Sequence, residues 1–175
     1  MQTHMRSRVV KFGLIVLVVL FSVTCDQLAK GAARQRLEGR GSVTAAGGVV
    51  ELRYVENSGA FLSLGSALPR PLRMAAFIAF PMIVLAGMIV YIALRRETAW
   101  TVIAGLSFIV GGGCGNLIDR LLHDGRVSDF IIIGFGPLHT GIFNLADLFV
   151  LAGCVMLLLT PKKKPPRPRA VPPAA

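Results

Sequence analysis

Four stretches of this chain are almost wholly apolar over a length that suits a bilayer, and short polar segments separate them. They cover about residues 9–25, 72–94, 99–122 and 141–159. A hydrocarbon core about 30 Å thick needs roughly 20 apolar residues per helix, so each stretch predicts a transmembrane helix. Pro81 falls inside the second, where a membrane helix tolerates a kink. The polar segments carry a different pattern. Residues 49–55 (VVELRYV) are rich in strand formers, Asn57-Ser58-Gly59 is turn chemistry, and Ala60-Phe61-Leu62 reads as a returning strand. Residues 127–133 (VSDFIII) read as a further strand. The pattern predicts an α-helical integral membrane protein of four transmembrane helices, with a small β-element resting on the membrane surface.

Composition narrows this to one unit. Of 175 residues, 54% are apolar and only 16% are charged, which suits a single membrane-embedded domain over residues 1–160. Residues 161–175 are basic and proline-rich and read as a disordered tail. The formal net charge of +10 would suggest nucleic acid in a soluble protein. Here the charge follows topology instead. Arg6, Arg8 and Lys11 precede the first span, Arg95 and Arg96 join the second to the third, and Lys162, Lys163, Lys164, Arg167 and Arg169 follow the fourth. With four spans these places lie on one side, which the positive-inside rule makes cytoplasmic together with both termini. The long loop after the first span also carries Lys30, Arg34, Arg36, Arg40 and Arg53, which weakens the asymmetry without reversing it. The first stretch also has the form of a signal peptide, even one ending at Cys25. The residues before that cysteine, Val23 and Thr24, are not the small ones such a site wants, and three further spans follow. Cys25, Cys114 and Cys154 form no CxxC pair and read as small apolar packing residues.

Ionisable residues at the edge of membrane spans default to a functional reading. Asp26 ends the first span, Asn116, Asp119 and Arg120 end the third, and Asn144 and Asp147 open the fourth. Because the chain alternates direction, all of them fall at the outer end of their spans and can meet in one layer. Asn144 and Asp147 are three apart and share a helix face, as do Asn116, Asp119 and Arg120. Asp147 lies about 9 Å in from the start of its predicted helix at 1.5 Å per residue. The small residues of Gly111-Gly112-Gly113-Cys114-Gly115 read as close helix packing rather than a ligand site.

The candidate chemistry reduces to carboxylates. Ser58 sits in Asn-Ser-Gly and not in a nucleophile elbow. His123 and His139 form no metal-ligand pattern and read as solvated loop histidines. Asp124 precedes Gly125 and reads as a turn residue. Asp26, Asp119, Asp129 and Asp147 remain. Two aspartates brought close share one proton, so one acts as base toward water and the other as acid. Spacing does not decide whether Asp119 or Asp129 partners Asp147. Arg120 beside Asp119 favours a supporting ion pair there.

These residues together resemble the bacterial lipoprotein signal peptidases, the signal peptidase II family. Asp26-Gln27-x-x-Lys30, Asn57-x-Gly59-Ala60-Phe61, Gly115-Asn116-Leu117-Ile118-Asp119-Arg120, Val127-Ser128-Asp129-Phe130 and Phe143-Asn144-Leu145-Ala146-Asp147 are similar to its five motifs, in order. Ser128 departs from a valine usual at that place. The resemblance implies an aspartyl endopeptidase of the bacterial inner membrane, without a metal or other cofactor. It implies cleavage of a prolipoprotein signal peptide just before a diacylglyceryl-modified cysteine, with membrane lipid and no nucleic acid as the other partner. By motif the catalytic pair is Asp129 and Asp147. Asn57, Gly59, Asn116, Asp119, Arg120 and Asn144 position substrate and the pair, and Asp26 and Lys30 support the end of the first span. The competing reading is a small transporter or proton-relay protein, which predicts polar residues deeper along the spans than this chain has.

Overall fold

The computed structural model describes residues 2–59, 65, 67–95, 99–135 and 137–161. The expected strand at Ala60–Leu62, the turn at Arg96 and the basic tail from Lys162 lie outside the described residues. Among the described residues, three helices are long and apolar enough to cross a membrane: Val9–Leu37, Arg70–Leu94 and Trp100–Leu122. A fourth apolar helix, α5 (Leu145–Leu158), has 14 residues, about 21 Å of helix. It begins later than the expected span at 141, because residues 141–144 are extended and Phe143 pairs with Ile131.

The first helix, α1 (Gln2–Leu37), is much longer than its apolar run. Asp26 therefore does not mark the end of the helix, which continues for three turns. Asp26, Lys30 and Arg34 recur every four residues, so they extend one face that turns inward, and Asp26 and Lys30 are 0% and 3% exposed. The helix stops where glycine allows a left-handed backbone, with Gly39 at φ 70°. Lys11, read above as part of a basic flank, is also buried. Its ammonium donates to the carbonyls of Ile92 and Arg95 and so caps the C-terminus of the next helix.

That next span comprises α2 (Arg70–Met74), a π turn (Ala75–Ala79) and α3 (Phe80–Leu94). Pro81 would clash with the carbonyl of Phe77 in a regular helix, and the wide turn around Phe77 relieves it. The third span, α4 (Trp100–Leu122), is the central helix. Its glycines face three neighbours. A Cβ on Gly111 would stand 2.6 Å from the Ser22 Cβ of α1, and one on Gly113 would stand 2.7 Å from Leu85 of α3. One on Gly105 would stand 3.0 Å from the Gly153 carbonyl of α5, and one on Gly112 would collide with the Ala146 carbonyl. Close backbone approach is what small residues provide where lipid offers no hydrophobic drive for helix association. Ile15, Ile92, Ile103 and Leu106 form the apolar core on the side away from the sheet.

A four-stranded antiparallel sheet covers one end of the bundle in the order β1 (Ser42–Ala45), β2 (Val50–Asn57), β3 (Val127–Phe135) and β4 (Leu138–His139). The strands expected at 49–55 and 127–133 form β2 and β3 and pair with each other, Val55 opposite Asp129 and Asn57 opposite Val127. The hairpin partner of β2 is β1, a short run of Ser, Val, Thr and Ala without the alternation that marks a strand. A bulge between Leu52 and Val55 re-aims β2 over the bundle.

Candidate active site

Where the sheet meets the bundle, a pocket of about 30 Å³ is lined by Asn57, Gly59, Asn116, Arg120, Val127, Asp129, Ile142, Asn144 and Asp147. That is room for one or two waters. Seven of the ten residues singled out from the sequence line it. The other three, Asp26, Lys30 and Asp119, lie directly behind it.

Each pocket side chain is placed by ordinary local structure. Asn144 is the N-cap of α5, and with Asp147 it makes a reciprocal capping box. The Asp147 amide donates to Asn144 Oδ1 at 3.1 Å, and the Asn144 amide donates to Asp147 Oδ2 at 3.1 Å. Asp147 thus stands in the first turn, about 4.5 Å beyond the cap rather than the expected 9 Å. Asp129 projects from β3 and is 4% exposed. Asn57 ends β2, where its Oδ1 accepts from the amide of Gly59 at 2.9 Å while its Nδ2 donates to Asp129 Oδ2 at 2.9 Å.

One asparagine joins the two carboxylates. Asn144 Nδ2 donates to Asp129 Oδ1 at 2.7 Å and to Asn116 Oδ1 at 3.0 Å. Asn116 Nδ2 in turn donates to Asp147 Oδ1 at 2.9 Å. Both carboxylates therefore accept from neutral amides on each oxygen. Burial pushes the Asp129 carboxyl up to about 6, and the charge of Asp147 adds to this while the amides of Asn57 and Asn144 oppose it. A carboxyl near 6 exchanges a proton close to neutral pH, as a general acid or base requires.

Behind the pocket the partners change. Lys30 Nζ lies 2.7 Å from Asp26 Oδ2 and 3.5 Å from Asp119 Oδ2, and it donates to Asn116 Oδ1 at 2.9 Å. Asp26 Oδ1 also accepts from the amide of Ala146 at 2.8 Å, so a residue of α1 caps α5. Gly115 admits it, since a Cβ there would stand 2.5 Å from Asp26 Oδ2. Asp119 Oδ2 accepts from the amide of Ser128 at 2.8 Å, which ties β3 to α4. Gln27 bridges these acids, donating to Asp26 Oδ2 and Asp119 Oδ1 at 3.2 Å each. Its position one residue from Asp26 was visible in the motif, but its role needed the α1–α4 contact.

Asp119 and Arg120 do not pair with each other. Successive helix residues point about 100° apart, so Asp119 turns back to Lys30 while Arg120 turns into the pocket. Arg120 donates to the Gly59 carbonyl at 3.1 Å and stacks 5.7 Å over the Phe77 ring. Its Nε is buried with no hydrogen-bond partner among the described residues.

A second network lies outside the pocket and was not foreseen. Arg34 stacks over Tyr54, donates from Nε to its hydroxyl at 2.9 Å and stands 2.7 Å from His123 Nε2. His123, expected to be solvated, is thus half-buried against Arg34. Ser128 Oγ lies 3.2 Å from the Tyr54 hydroxyl and accepts from Arg34 at 3.5 Å. Both histidine and serine look like loop residues until α1 is seen to run past them.

Fold and pocket together define a polytopic membrane protein with a pair of carboxylates facing one small polar cavity. Residues 17–161 match the family described as Signal peptidase (SPase) II. The chain belongs to that family, whose members are peptidases of the aspartic class. Among its relatives is the lipoprotein signal peptidase of Leifsonia xyli subsp. xyli, 32% identical over 152 residues, or 83% of this chain and 65% of that one. The lipoprotein signal peptidase of Halothermothrix orenii is 30% identical over 146 residues, 83% of this chain and 93% of that one. That of Clostridium novyi is 28% identical over 145 residues, 82% and 94% of the two chains. A solved bacterial membrane enzyme, determined in meso at 2.3 Å resolution, shares the fold with a TM-score of 0.72 at 24% identity, over 83% of this chain and 85% of that one.

Proposed function

We propose that this chain is the membrane endopeptidase that removes the signal peptide from diacylglyceryl-modified prolipoproteins, cutting just before the lipidated cysteine, with Asp129 and Asp147 as its catalytic pair. The observation that carries the reading is the asparagine bridge. Asn144 holds Asp129 directly and Asp147 through its own backbone amide, with a cavity for water between them. In the reaction, one aspartate takes a proton from a pocket water as the water oxygen bonds to the scissile carbonyl carbon. The other supplies a proton to the departing amide nitrogen as the C–N bond breaks. Asp129, pushed up by burial to about 6, is suited to exchange a proton near neutral pH. Asn57, Asn116 and Asn144 orient both carboxylates without adding charge. The guanidinium of Arg120 faces the cavity and stabilises negative charge developing on the carbonyl oxygen.

The substrate suits this architecture. A signal peptide is an apolar helix, and its lipidated cysteine belongs at the headgroup level. A site in the first turn of α5 meets that bond while the acyl chains stay in the bilayer, where burial is worth about 0.8 kcal/mol per CH₂. In this reading the short α5 completes a fourth span, the sheet lies on the outer face of the bacterial inner membrane, and both termini are cytoplasmic. The test is cleavage of a diacylglyceryl-modified prolipoprotein by the purified protein in detergent, beside the same precursor without lipid. The lipidated form is expected to be cut much faster. Equal rates, or no cleavage of either, count against the proposal.

A further inference from the structure

Lys30 is 3% exposed and does not line the pocket, yet one of its three contacts reaches into it. That contact is Asn116 Oδ1, at 2.9 Å. An ammonium group only donates, so the Asn116 atom facing Lys30 has to be the amide oxygen. Asn144 Nδ2 donates to the same oxygen at 3.0 Å, but it is neutral and also serves Asp129. Asn144 cannot turn over, because its own oxygen accepts from the Asp147 amide at 3.1 Å. The Lys30 bond is charge-assisted and is the stronger restraint. With the oxygen of Asn116 held on this side, its NH₂ faces Asp147 Oδ1 at 2.9 Å. The opposite orientation would set an amide oxygen against a carboxylate oxygen.

We infer that Lys30 is a positioning residue that fixes the sense of the Asn116 amide from outside the pocket and so holds Asp147 in its reactive orientation. The inference rests on the proposed role of Asp147, and it assigns Lys30 a part in turnover beyond its ion pair with Asp26. The pair would otherwise read as a structural clamp only.

The experiment measures kcat, KM and melting temperature on the lipidated precursor in detergent for the full-length protein and three variants. Lys30→Met removes the donor but strands Asp26 and Asp119, so it is paired with the double variant Asp26→Asn/Lys30→Met. The double variant removes both members of the closest ion pair, and the new amide oxygen still accepts from Ala146. Lys30→Arg keeps a donor-only cation. The double variant still leaves Asp119 without a cation, held by the Ser128 amide and Gln27, so it is expected to melt below the wild type but above Lys30→Met. It is expected to keep KM within about twofold, while kcat falls by about tenfold or more, as misplacing a reacting group does. Lys30→Arg is expected to retain most of kcat. A folded double variant with wild-type kcat overturns the inference. So does activity that falls only in step with melting temperature across all three variants, which would make Lys30 structural. Failure of the wild type to cleave the precursor would instead sink the proposed function, and this inference with it.

Discussion

Two pairs of aspartates lie back to back in this molecule, and they differ in what holds them. Asp26 and Asp119, 0% and 1% exposed, share the ammonium of Lys30. Asp129 and Asp147, in front of them, receive only neutral donors among the described residues: the side chains of Asn57, Asn116 and Asn144 and one backbone amide. The residue type is the same, and Asp129 is buried like the rear pair while Asp147 is half-buried. A cation makes a buried carboxylate a tie between helices, because removing either charge strands the other. Amides satisfy a carboxylate without neutralising it, so a second carboxylate and burial are free to move its proton affinity into the working range. In the proposed reading the charge of the partner separates a fastening from a reactive centre, and Asn116 touches Lys30 on one side and Asp147 on the other.

The sharpest way to break this comparison is to neutralise the front pair. Asp129→Asn and Asp147→Asn are each expected to lower kcat by about a thousandfold or more, since an amide cannot exchange the proton. Both proteins should remain inserted and folded. Near-normal cleavage by Asp129→Asn would return Asp119 to the dyad. In the rear pair the same chemical change should act on stability. Asp26→Asn is expected to cost about 3 kcal/mol by thermal unfolding, the low end for breaking a buried pair because Asp119 remains near Lys30. Asp119→Asn should cost less, about 1–2 kcal/mol, since Lys30 keeps its nearer partner. Equal stability of wild type and Asp26→Asn would mean that the rear pair is no fastening.

A pH series sharpens the contrast further. The Asp129 carboxyl is raised from 3.8 to about 6 in the folded protein, so the native state binds this proton more tightly than the unfolded chain. Stability from this group is fully present below about pH 4 and is lost as pH rises toward 6, by up to about 3 kcal/mol. Asp129→Asn lacks that slope. It also turns an NH₂ toward one of two donors, Asn57 or Asn144, each of whose oxygens is already engaged, at a cost of about 1–3 kcal/mol. The variant should therefore melt below the wild type at pH 4 and draw level with it or pass it by pH 8. Parallel melting curves across that range would remove the raised carboxyl. The smallest effect is expected from Ser128→Val, which restores the residue usual in the resembling family. It deletes the contacts to Tyr54 and Arg34 and should cost about 1 kcal/mol, while cleavage stays within a few-fold of the wild type.

Much of this was legible along the chain, for identifiable reasons. Apolar runs of spanning length announce membrane helices because lipid leaves the backbone few alternatives, and β2 and β3 carry their strand formers in plain order. Asp26, Asn116, Asp119, Arg120, Asn144 and Asp147 were visible as polar groups at span edges, whereas Asn57, Gly59 and Asp129 lay in turn and strand segments and stood out through the motif resemblance. Their division of labour was not visible. Asp119 reads as the partner of Arg120 because they are neighbours, but a helix sends neighbours to different faces, and the cation that reaches Asp119 comes from α1. Asp26 closes the apolar run of α1 but not the helix, which Gly39 stops three turns later. The depth of Asp147 was doubled because Asn144 was counted inside the helix rather than as its cap.

The order of apolar and polar segments by itself determined that this protein is a membrane helical bundle with its carboxylates gathered at one end. That follows from the cost of burying charge in lipid, which any folding of the chain must respect. Only the tertiary structure decided which carboxylates meet a lysine and which meet amides. Those partners arrive from helices and strands as far as 120 residues away in the chain, as Asp26 and Ala146 are. Hydrogen-bond direction then sorts the acids, because an ammonium group, an amide NH₂ and a backbone N–H each fix what the facing oxygen can do.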